Sequence, residues 1–170
     1  MLKRIQKSVK PGKSVKSEKS GDPSPGLRVS IVASEYNRKQ VDGLVDGAMR
    51  VLVAAGVDVE VLRVPGAFEI PVVVEALLQD RKPRPSVVLA LGVIIRGETA
   101  HADLVGSAVT RALMDISVRH RIPVIHEVLL VGTLRQADLR CLDAKYNRGG
   151  EAATSALAMA RLMGRLGIGG

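Results

Sequence analysis

A nearly unbroken apolar run over residues 86–95 constrains the fold of this chain more than any other segment. A strand that is apolar on both faces is typical of a parallel sheet covered by helices on each side. The run stops abruptly at Arg96-Gly97-Glu98-Thr99, and a helical pattern follows from about residue 101 to 119. The segment therefore predicts the centre of an α/β sheet, with a polar loop at the carboxyl end of its strand.

The rest of the chain alternates between the periodicities of strands and helices. Further strands are predicted at residues 28–33, 57–64 and 122–131, and further helices at 38–55, 67–79, 134–142 and 147–166. Such alternation indicates βαβ units with right-handed crossovers. We therefore expect an α/β fold, a three-layer α/β/α doubly wound domain with a four-stranded parallel sheet flanked by helices.

Residues 1–26 differ from the remainder in being rich in Lys, Ser, Gly and Pro, a composition that buries too little apolar surface to order itself. We expect a disordered basic N-terminal extension over residues 1–26, followed by one domain over residues 27–170. Seven Lys and Arg residues against Glu18 and Asp22 leave +5 of the net charge of +8 in this tail. The basicity belongs to the tail, so nucleic acid is not expected as a partner of the domain.

The single cysteine, Cys141, excludes an internal disulfide and fits a reducing compartment. It lies in a helical pattern without a neighbouring base, and we interpret it as structural. No apolar run approaches the ~20 residues that a membrane span requires, and the N-terminus lacks the apolar segment of a secretory signal. The expectation is a cytoplasmic protein with no membrane association.

Polar and aromatic residues follow the predicted strands at Ser34-Glu35-Tyr36-Asn37, Pro65-Gly66-Ala67-Phe68-Glu69, the loop after residue 95 and Gly132-Thr133. The carboxyl ends of parallel strands meet at one edge of a sheet, where α/β proteins bind ligands. Tyr36 and Phe68 are two of only three aromatic residues in the chain. They favour a planar ligand, although Phe68 as a core residue and Tyr36 as a loop anchor explain the same pattern.

The three histidines differ in their settings. His101 opens a helix after a strand end, where an imidazole suits general acid/base work and the helix amides favour phosphate. His120 stands at a helix end, and His126 lies within a strand, where a satisfied core histidine is the ordinary interpretation. The sequence contains no metal-ligand cluster, GxSxG, Walker A or GxGxxG pattern. Zinc, serine hydrolysis and dinucleotide binding therefore have no support.

Taken together, four stretches of the chain resemble the lumazine synthase family, whose members catalyse the penultimate step of riboflavin biosynthesis. They run in family order across most of residues 27–166, and they are Ser34-Glu35-Tyr36-Asn37, Val64-Pro65-Gly66-Ala67-Phe68-Glu69-Ile70-Pro71, the segment from Ala90 to Asp103, and Arg140 with Asn147-Arg148-Gly149. The resemblance implies condensation of 5-amino-6-(D-ribitylamino)uracil with 3,4-dihydroxy-2-butanone 4-phosphate, which yields 6,7-dimethyl-8-ribityllumazine and phosphate. It implies no metal or organic cofactor.

The resemblance also implies roles for individual residues. His101 would transfer protons, and Tyr36 would stack on the pyrimidine ring. The ribityl chain would be held by Ala67, Phe68 and Glu69, the ring pocket would be lined by Val93, Ile94 and Ile95, and the phosphate would be bound by Glu98, Thr99 and Arg140. Family members place the site between neighbouring subunits of a pentamer, so the adjacent chain would supply His126 and Arg140.

Several positions depart from the family pattern. Ala102 and Leu104 stand where aromatic residues are usual, and His126 replaces an apolar aromatic residue over the ring. These changes leave open a second hypothesis, a non-catalytic relative that binds flavin or lumazine or forms a shell. The basic tail alone suggests a third hypothesis, a nucleic-acid-associated protein. Pentamer and icosahedral assemblies both fit the sequence.

Overall fold

The computed structural model describes residues 26–168 of the chain. Four parallel strands form one sheet in the order β2-β1-β3-β4, with β1 at Arg28–Ser34, β2 at Asp58–Val64, β3 at Val87–Ile95 and β4 at Val124–Val131. The helices are α1 at Arg38–Ala54, α2 at Ile70–Gln79, α3 at His101–His120, α4 at Leu134–Cys141 and α5 at Arg148–Arg165. The predicted α/β class with a four-stranded parallel sheet is confirmed.

Two apolar clusters cover the two faces of the sheet and complete its three layers. On one face, α1, α4 and α5 pack against inward side chains such as Leu89 and Leu91 of β3. On the other face, α2 and α3 pack against neighbours such as Val88 and Ala90. Strand β3 is buried from Val87 to Val93 because helices cover both of its faces. The long apolar run in the sequence therefore marks the middle of the molecule.

Helices α1 and α5 approach each other closely because glycine stands at their contact. A Cβ atom at Gly149 would overlap the carbonyl oxygen of Leu44. The side chain of Asn147 caps α5 by accepting from the amide of Gly150 at 3.1 Å, and it donates to the carbonyl of Gly43 at 2.8 Å. This contact fixes the start of α5 against α1.

Some element boundaries differ from the sequence-based expectation. The helix predicted over residues 67–79 is divided into a 3-10 turn at Ala67–Glu69 and α2, which begins at Ile70. Pro71 lies in the first turn of α2, where its missing amide hydrogen and fixed φ are tolerated. Strand β4 begins at Val124, after Pro123, rather than at residue 122. Almost all of the predicted N-terminal extension falls outside residues 26–168, and in that range no helix is long and apolar enough to cross a membrane.

Candidate active site

A cavity of about 510 Å³ lies at the carboxyl ends of the central strands. The strand order reverses between β1 and β3, and doubly wound sheets bind ligands in the crevice at such a reversal. The residues that line the cavity are Tyr36, Gly66, Ala67, Phe68, Glu69, Val93, Ile94, Ile95, Gly97, Thr99, His101, Ala102 and Val105. Every residue predicted from the sequence to form a site is among them, except Glu98, His126 and Arg140.

The two aromatic residues of the cavity are exposed to solvent. Tyr36 is 73% exposed and Phe68 is 63% exposed. The interpretation of Phe68 as a core residue is therefore wrong, and an exposed Tyr36 ring does not anchor its loop by packing. Two exposed rings in a chain with three aromatic residues favour the interpretation that they face a planar ligand.

The loop between β3 and α3, residues 96–100, is bridged by one ion pair. The guanidinium of Arg96, the first residue of the loop, lies 2.7 Å from Oδ1 of Asp103 in the first turn of α3. The hydrogen bond that Arg96 donates to this carboxylate, together with the carboxylate charge, raises the pKa of Arg96. Asp103 is thus paired with Arg96. The loop presents its backbone at the start of α3, where helix amides favour anions.

His101 is the first residue of α3 and faces the cavity from an exposed position. The amide of His101 donates to Oγ1 of Thr99 at 3.4 Å, so a hydrogen bond joins the histidine to the β3–α3 loop. Glu98 belongs to the same loop and is exposed, but it does not line the cavity. The histidine and the amides of this loop therefore share one wall of the cavity.

His126 lies outside this cavity and faces α3 from strand β4. Its Nε2 is 2.9 Å from Oγ1 of Thr110, and that hydroxyl donates to the carbonyl of Gly106 at 2.8 Å. Because the hydroxyl hydrogen is already donated, Nε2 carries the hydrogen that the Thr110 oxygen accepts. His126 is hydrogen bonded, as expected of a satisfied core histidine, but it is only half-buried and does not belong to the core.

Two basic residues near the start of α5, Arg148 and Arg140, differ in whether they form ion pairs. Nε of Arg148 donates to the buried carboxylate of Glu127 at 2.9 Å, and Arg148 also pairs with Glu151. The hydrogen bond that Arg148 donates to Glu127 raises the pKa of Arg148, and the charge of Glu127 adds to the shift. Arg140, on α4, is exposed and contacts the carbonyl of Gln136 at 3.4 Å, and in residues 26–168 it forms no ion pair. Arg140 is thus available to an anion, whereas Arg148 is engaged.

Cys141 is fully buried, and burial raises the pKa of its thiol to about 12, with Asp138 and Glu127 adding to the shift. This thiol remains protonated at neutral pH, in agreement with the structural interpretation. No group of three or more His, Cys, Asp or Glu residues in the described part of the chain is arranged to hold a metal ion.

Sequence reasoning did not assign roles to several residues at the site. Gly66, Gly97, Ala102 and Val105 line the cavity beside residues that were predicted. Asn37 hydrogen bonds to the cavity wall through Val93. The four lining residues could have been found only because they are adjacent in sequence to residues that were predicted. The hydrogen bond of Asn37 joins positions that are far apart in the chain, so no local pattern predicts it.

Comparison with known proteins decides the family. The sequence model of the 6,7-dimethyl-8-ribityllumazine synthase family matches residues 26–164. The chain belongs to this family. A 6,7-dimethyl-8-ribityllumazine synthase of Xanthobacter autotrophicus is 42% identical, covering 88% of this chain and 95% of the relative. Proteins of the same name are 41% identical in Azorhizobium caulinodans, covering 86% and 92% of the two chains, and 43% identical in Aquifex aeolicus, covering 81% and 90%.

Ala102 and Leu104, where the sequence resemblance leads us to expect aromatic residues, differ in their relation to the cavity. Ala102 is 6% exposed and lines the cavity with a small side chain. Leu104 is 69% exposed on α3 and lies outside the cavity, beside a second groove against β4. In this member of the lumazine synthase family, only Ala102 of the two belongs to the cavity wall.

Proposed function

We propose that this chain is a 6,7-dimethyl-8-ribityllumazine synthase that acts in riboflavin biosynthesis. It condenses 5-amino-6-(D-ribitylamino)uracil with 3,4-dihydroxy-2-butanone 4-phosphate. One observation carries the proposal: a single cavity combines an exposed Tyr36, the carboxylate of Glu69, the β3–α3 loop and His101. These groups match the flat ring, the polyol and the phosphate of the two substrates.

The chemistry requires proton transfer at several atoms. The amine of the pyrimidine adds to the ketone carbon, and loss of water gives an imine. Elimination of phosphate and ring closure with loss of a second water then yield the product. We assign the proton transfers to His101, because an imidazole both accepts and donates protons near neutral pH.

Binding is divided among the loops of the cavity. Tyr36 stacks on the pyrimidine ring, and the backbone of Val93, Ile94 and Ile95 contacts its polar edge. Ala67, Phe68 and Glu69 hold the ribityl chain. The amides of Glu98 and Thr99 bind phosphate at the start of α3.

The complete site is shared between neighbouring copies in a pentamer-based assembly. His126 and Arg140 lie outside the cavity of their own chain, and we assign them to the site of the adjacent copy. An exposed stripe of α3, formed by Leu104, Met114 and Val118, supports a subunit contact on this side of the sheet. A dilute monomer is then expected to be inactive.

The catalytic unit of this cytoplasmic enzyme is residues 27–170, and the basic N-terminal segment is not part of it. Family membership and the match over residues 26–164 support this division. A second candidate function, a non-catalytic flavin-binding or lumazine-binding relative, is favoured only by Ala102 in the cavity wall.

The test is incubation of the full chain with both substrates. Lumazine absorbance and inorganic phosphate are expected to rise together in equal amounts. The absence of both signals, combined with tight binding of riboflavin by calorimetry, would favour the second candidate. Light scattering on the same sample gives the size of the assembly, and a verified monomer with full turnover would contradict the shared site.

A further inference from the structure

Asn37 stands at the N-terminal cap of α1 but does not cap it. Asn is favoured at this position because its side-chain oxygen usually accepts from the first amides of a helix. Here the side chain makes no such bond, and Nδ2 instead donates to the carbonyl of Val93 at 2.8 Å. The side chain therefore joins the start of α1 to strand β3.

This hydrogen bond connects the loop that carries Tyr36 to the wall of the cavity. Val93 is 2% exposed and belongs to the cavity lining, and Tyr36 is the residue immediately before Asn37. The other ties of this loop are backbone hydrogen bonds from Glu35 to Val64, at 2.8 Å, and from Tyr36 to Pro65, at 3.0 Å. Those two bonds attach the loop to the end of β2, whereas the Asn37 side chain attaches it to β3.

The Tyr36 ring depends on its backbone for its position. With 73% of the residue exposed, little packing holds the ring over the cavity. The backbone of Asn37 has φ 56° and ψ 42°, in the left-handed region that Asn tolerates better than most residues. Loss of the bond to Val93 would free the loop on the side that faces the ring pocket.

We infer that Asn37 is a positioning residue that fixes Tyr36 against β3 for binding the pyrimidine ring. The inference rests on the proposed function for its substrate. It assigns Asn37 no part in proton transfer or phosphate binding, which take place on the other wall of the cavity. The competing explanation is that Asn is present only because it tolerates a positive φ.

Asn37→Gly separates these explanations, because glycine accepts the left-handed backbone and lacks the amide donor. Asn37→Asp keeps the side-chain shape but turns an oxygen toward the Val93 carbonyl. The control is Ser117→Ala, which removes a side-chain hydrogen bond of 3.0 Å to the carbonyl of Ile122 and one of 3.3 Å from the amide of Val124, at residues that do not line the cavity. All three variants are compared with the wild-type chain for thermal midpoint and steady-state kinetics.

For Asn37→Gly we expect KM for the ribitylaminouracil to rise about tenfold, as the loss of one net hydrogen bond implies. The values of kcat and of KM for the butanone phosphate are expected to stay within about twofold of wild type, since their groups lie elsewhere. In Asn37→Asp, KM for the ribitylaminouracil should rise at least as much, and Ser117→Ala should change neither KM.

A second measurement, of the mobility of the Tyr36 ring, does not depend on enzyme activity. The chain has no Trp and two Tyr residues, so Tyr146→Phe leaves Tyr36 as the only tyrosine emitter. In that background, the fluorescence anisotropy of Tyr36 is expected to decay faster when Asn37→Gly is added, and to be unaffected by Ser117→Ala. If wild type makes no lumazine, the proposed function fails while this measurement still tests the role of Asn37.

Two results would overturn the inference. One is an Asn37→Gly variant with wild-type KM for the pyrimidine and an unchanged Tyr36 anisotropy decay. The other is a uniform loss, in which kcat and both KM values worsen together with a lowered thermal midpoint, because that pattern describes a structural defect rather than positioning of the ring.

Discussion

Arg96 and Asp103 close the β3–α3 loop with two hydrogen bonds to the same carboxylate oxygen. Nε and Nη2 of Arg96 lie 3.0 and 2.7 Å from Oδ1 of Asp103. The pair encloses the segment from Gly97 to Ala102, of which Gly97, Thr99, His101 and Ala102 line the cavity. One exposed ion pair therefore bridges the segment that carries both the loop and the histidine.

Asp103→Asn is expected to raise KM for the butanone phosphate by about fivefold, because misplaced amides bind the phosphate less well. The thermal midpoint should hardly change, since exposed ion pairs contribute little to global stability. Steady-state kinetics and a thermal melt check both statements. Arg81→Gln, which breaks the ion pair with Glu60 near the opposite edge of the sheet, is the control. An unchanged KM in Asp103→Asn would show that the loop keeps its shape without the charge of Asp103.

His101→Asn is expected to lower kcat by a factor of about 10² to 10⁴, the usual contribution of a general acid/base. Binding of the lumazine product should persist, because the aromatic and carboxylate contacts of the cavity remain. Stopped-flow absorbance gives kcat, and calorimetry gives the affinity. A variant with nearly wild-type kcat would assign proton transfer to another group or to water.

Tyr36→Ala is expected to weaken binding of the pyrimidine substrate about tenfold through loss of aromatic stacking. Tyr36→Phe keeps the ring and removes only the hydroxyl, so it should bind like wild type. Calorimetric titration with the pyrimidine alone measures both affinities. Equal losses in the two variants would mean that the hydroxyl, not the ring face, makes the contact.

The long apolar run at β3 and the alternation of periods were sufficient to predict the sheet and its helices, because burial on two faces leaves a local pattern. Tyr36, Phe68 and His101 could be placed at one edge by the same logic, since parallel strands end together. The bond from Asn37 to Val93 and the one from His126 to Thr110 could not be predicted. Both join separate elements, and their geometry depends on packing that no local spacing encodes.

Glu75 joins α2 to the end of α3. Its contacts with two basic side chains predict that the stability of the chain depends on pH. Oε1 of Glu75 accepts from Arg119 at 2.8 Å and from His120 at 3.1 Å. Burial acts to raise the pKa of Glu75, but the hydrogen bond from His120 and the charges of Arg119 and His120 outweigh it and lower the pKa.

Because the folded-state pKa lies below the unfolded one, this stabilisation is present above the ordinary carboxyl range and is lost as pH falls through the folded-state pKa. The urea midpoint of the wild-type chain should therefore decrease on acidification. Glu75→Gln should show a smaller decrease over the same interval. If the urea midpoints of the two proteins fall equally as pH is lowered, Glu75 does not contribute to the acid sensitivity.

Gly149→Ala is expected to destabilise the chain by about 1–3 kcal/mol, the usual cost of overpacking, because the new methyl group would push α5 away from Leu44. The matched control is Gly164→Ala in the last turn of the same helix, where a Cβ meets no atom within 4 Å. That substitution should be neutral or slightly stabilising, since alanine is the better helix former. Urea unfolding of both variants measures the difference.

The cavity draws its walls from loops that follow three different strands, and hydrogen bonds from the Tyr36 amide to Pro65 and from the Asn37 side chain to Val93 join these walls directly. A substitution in one loop is consequently expected to be felt in its neighbours. Ala102 lies in the same wall as His101. A change of ring specificity on this scaffold is therefore expected to need exchange of the loops together, with the proposed proton-transfer residue left in place.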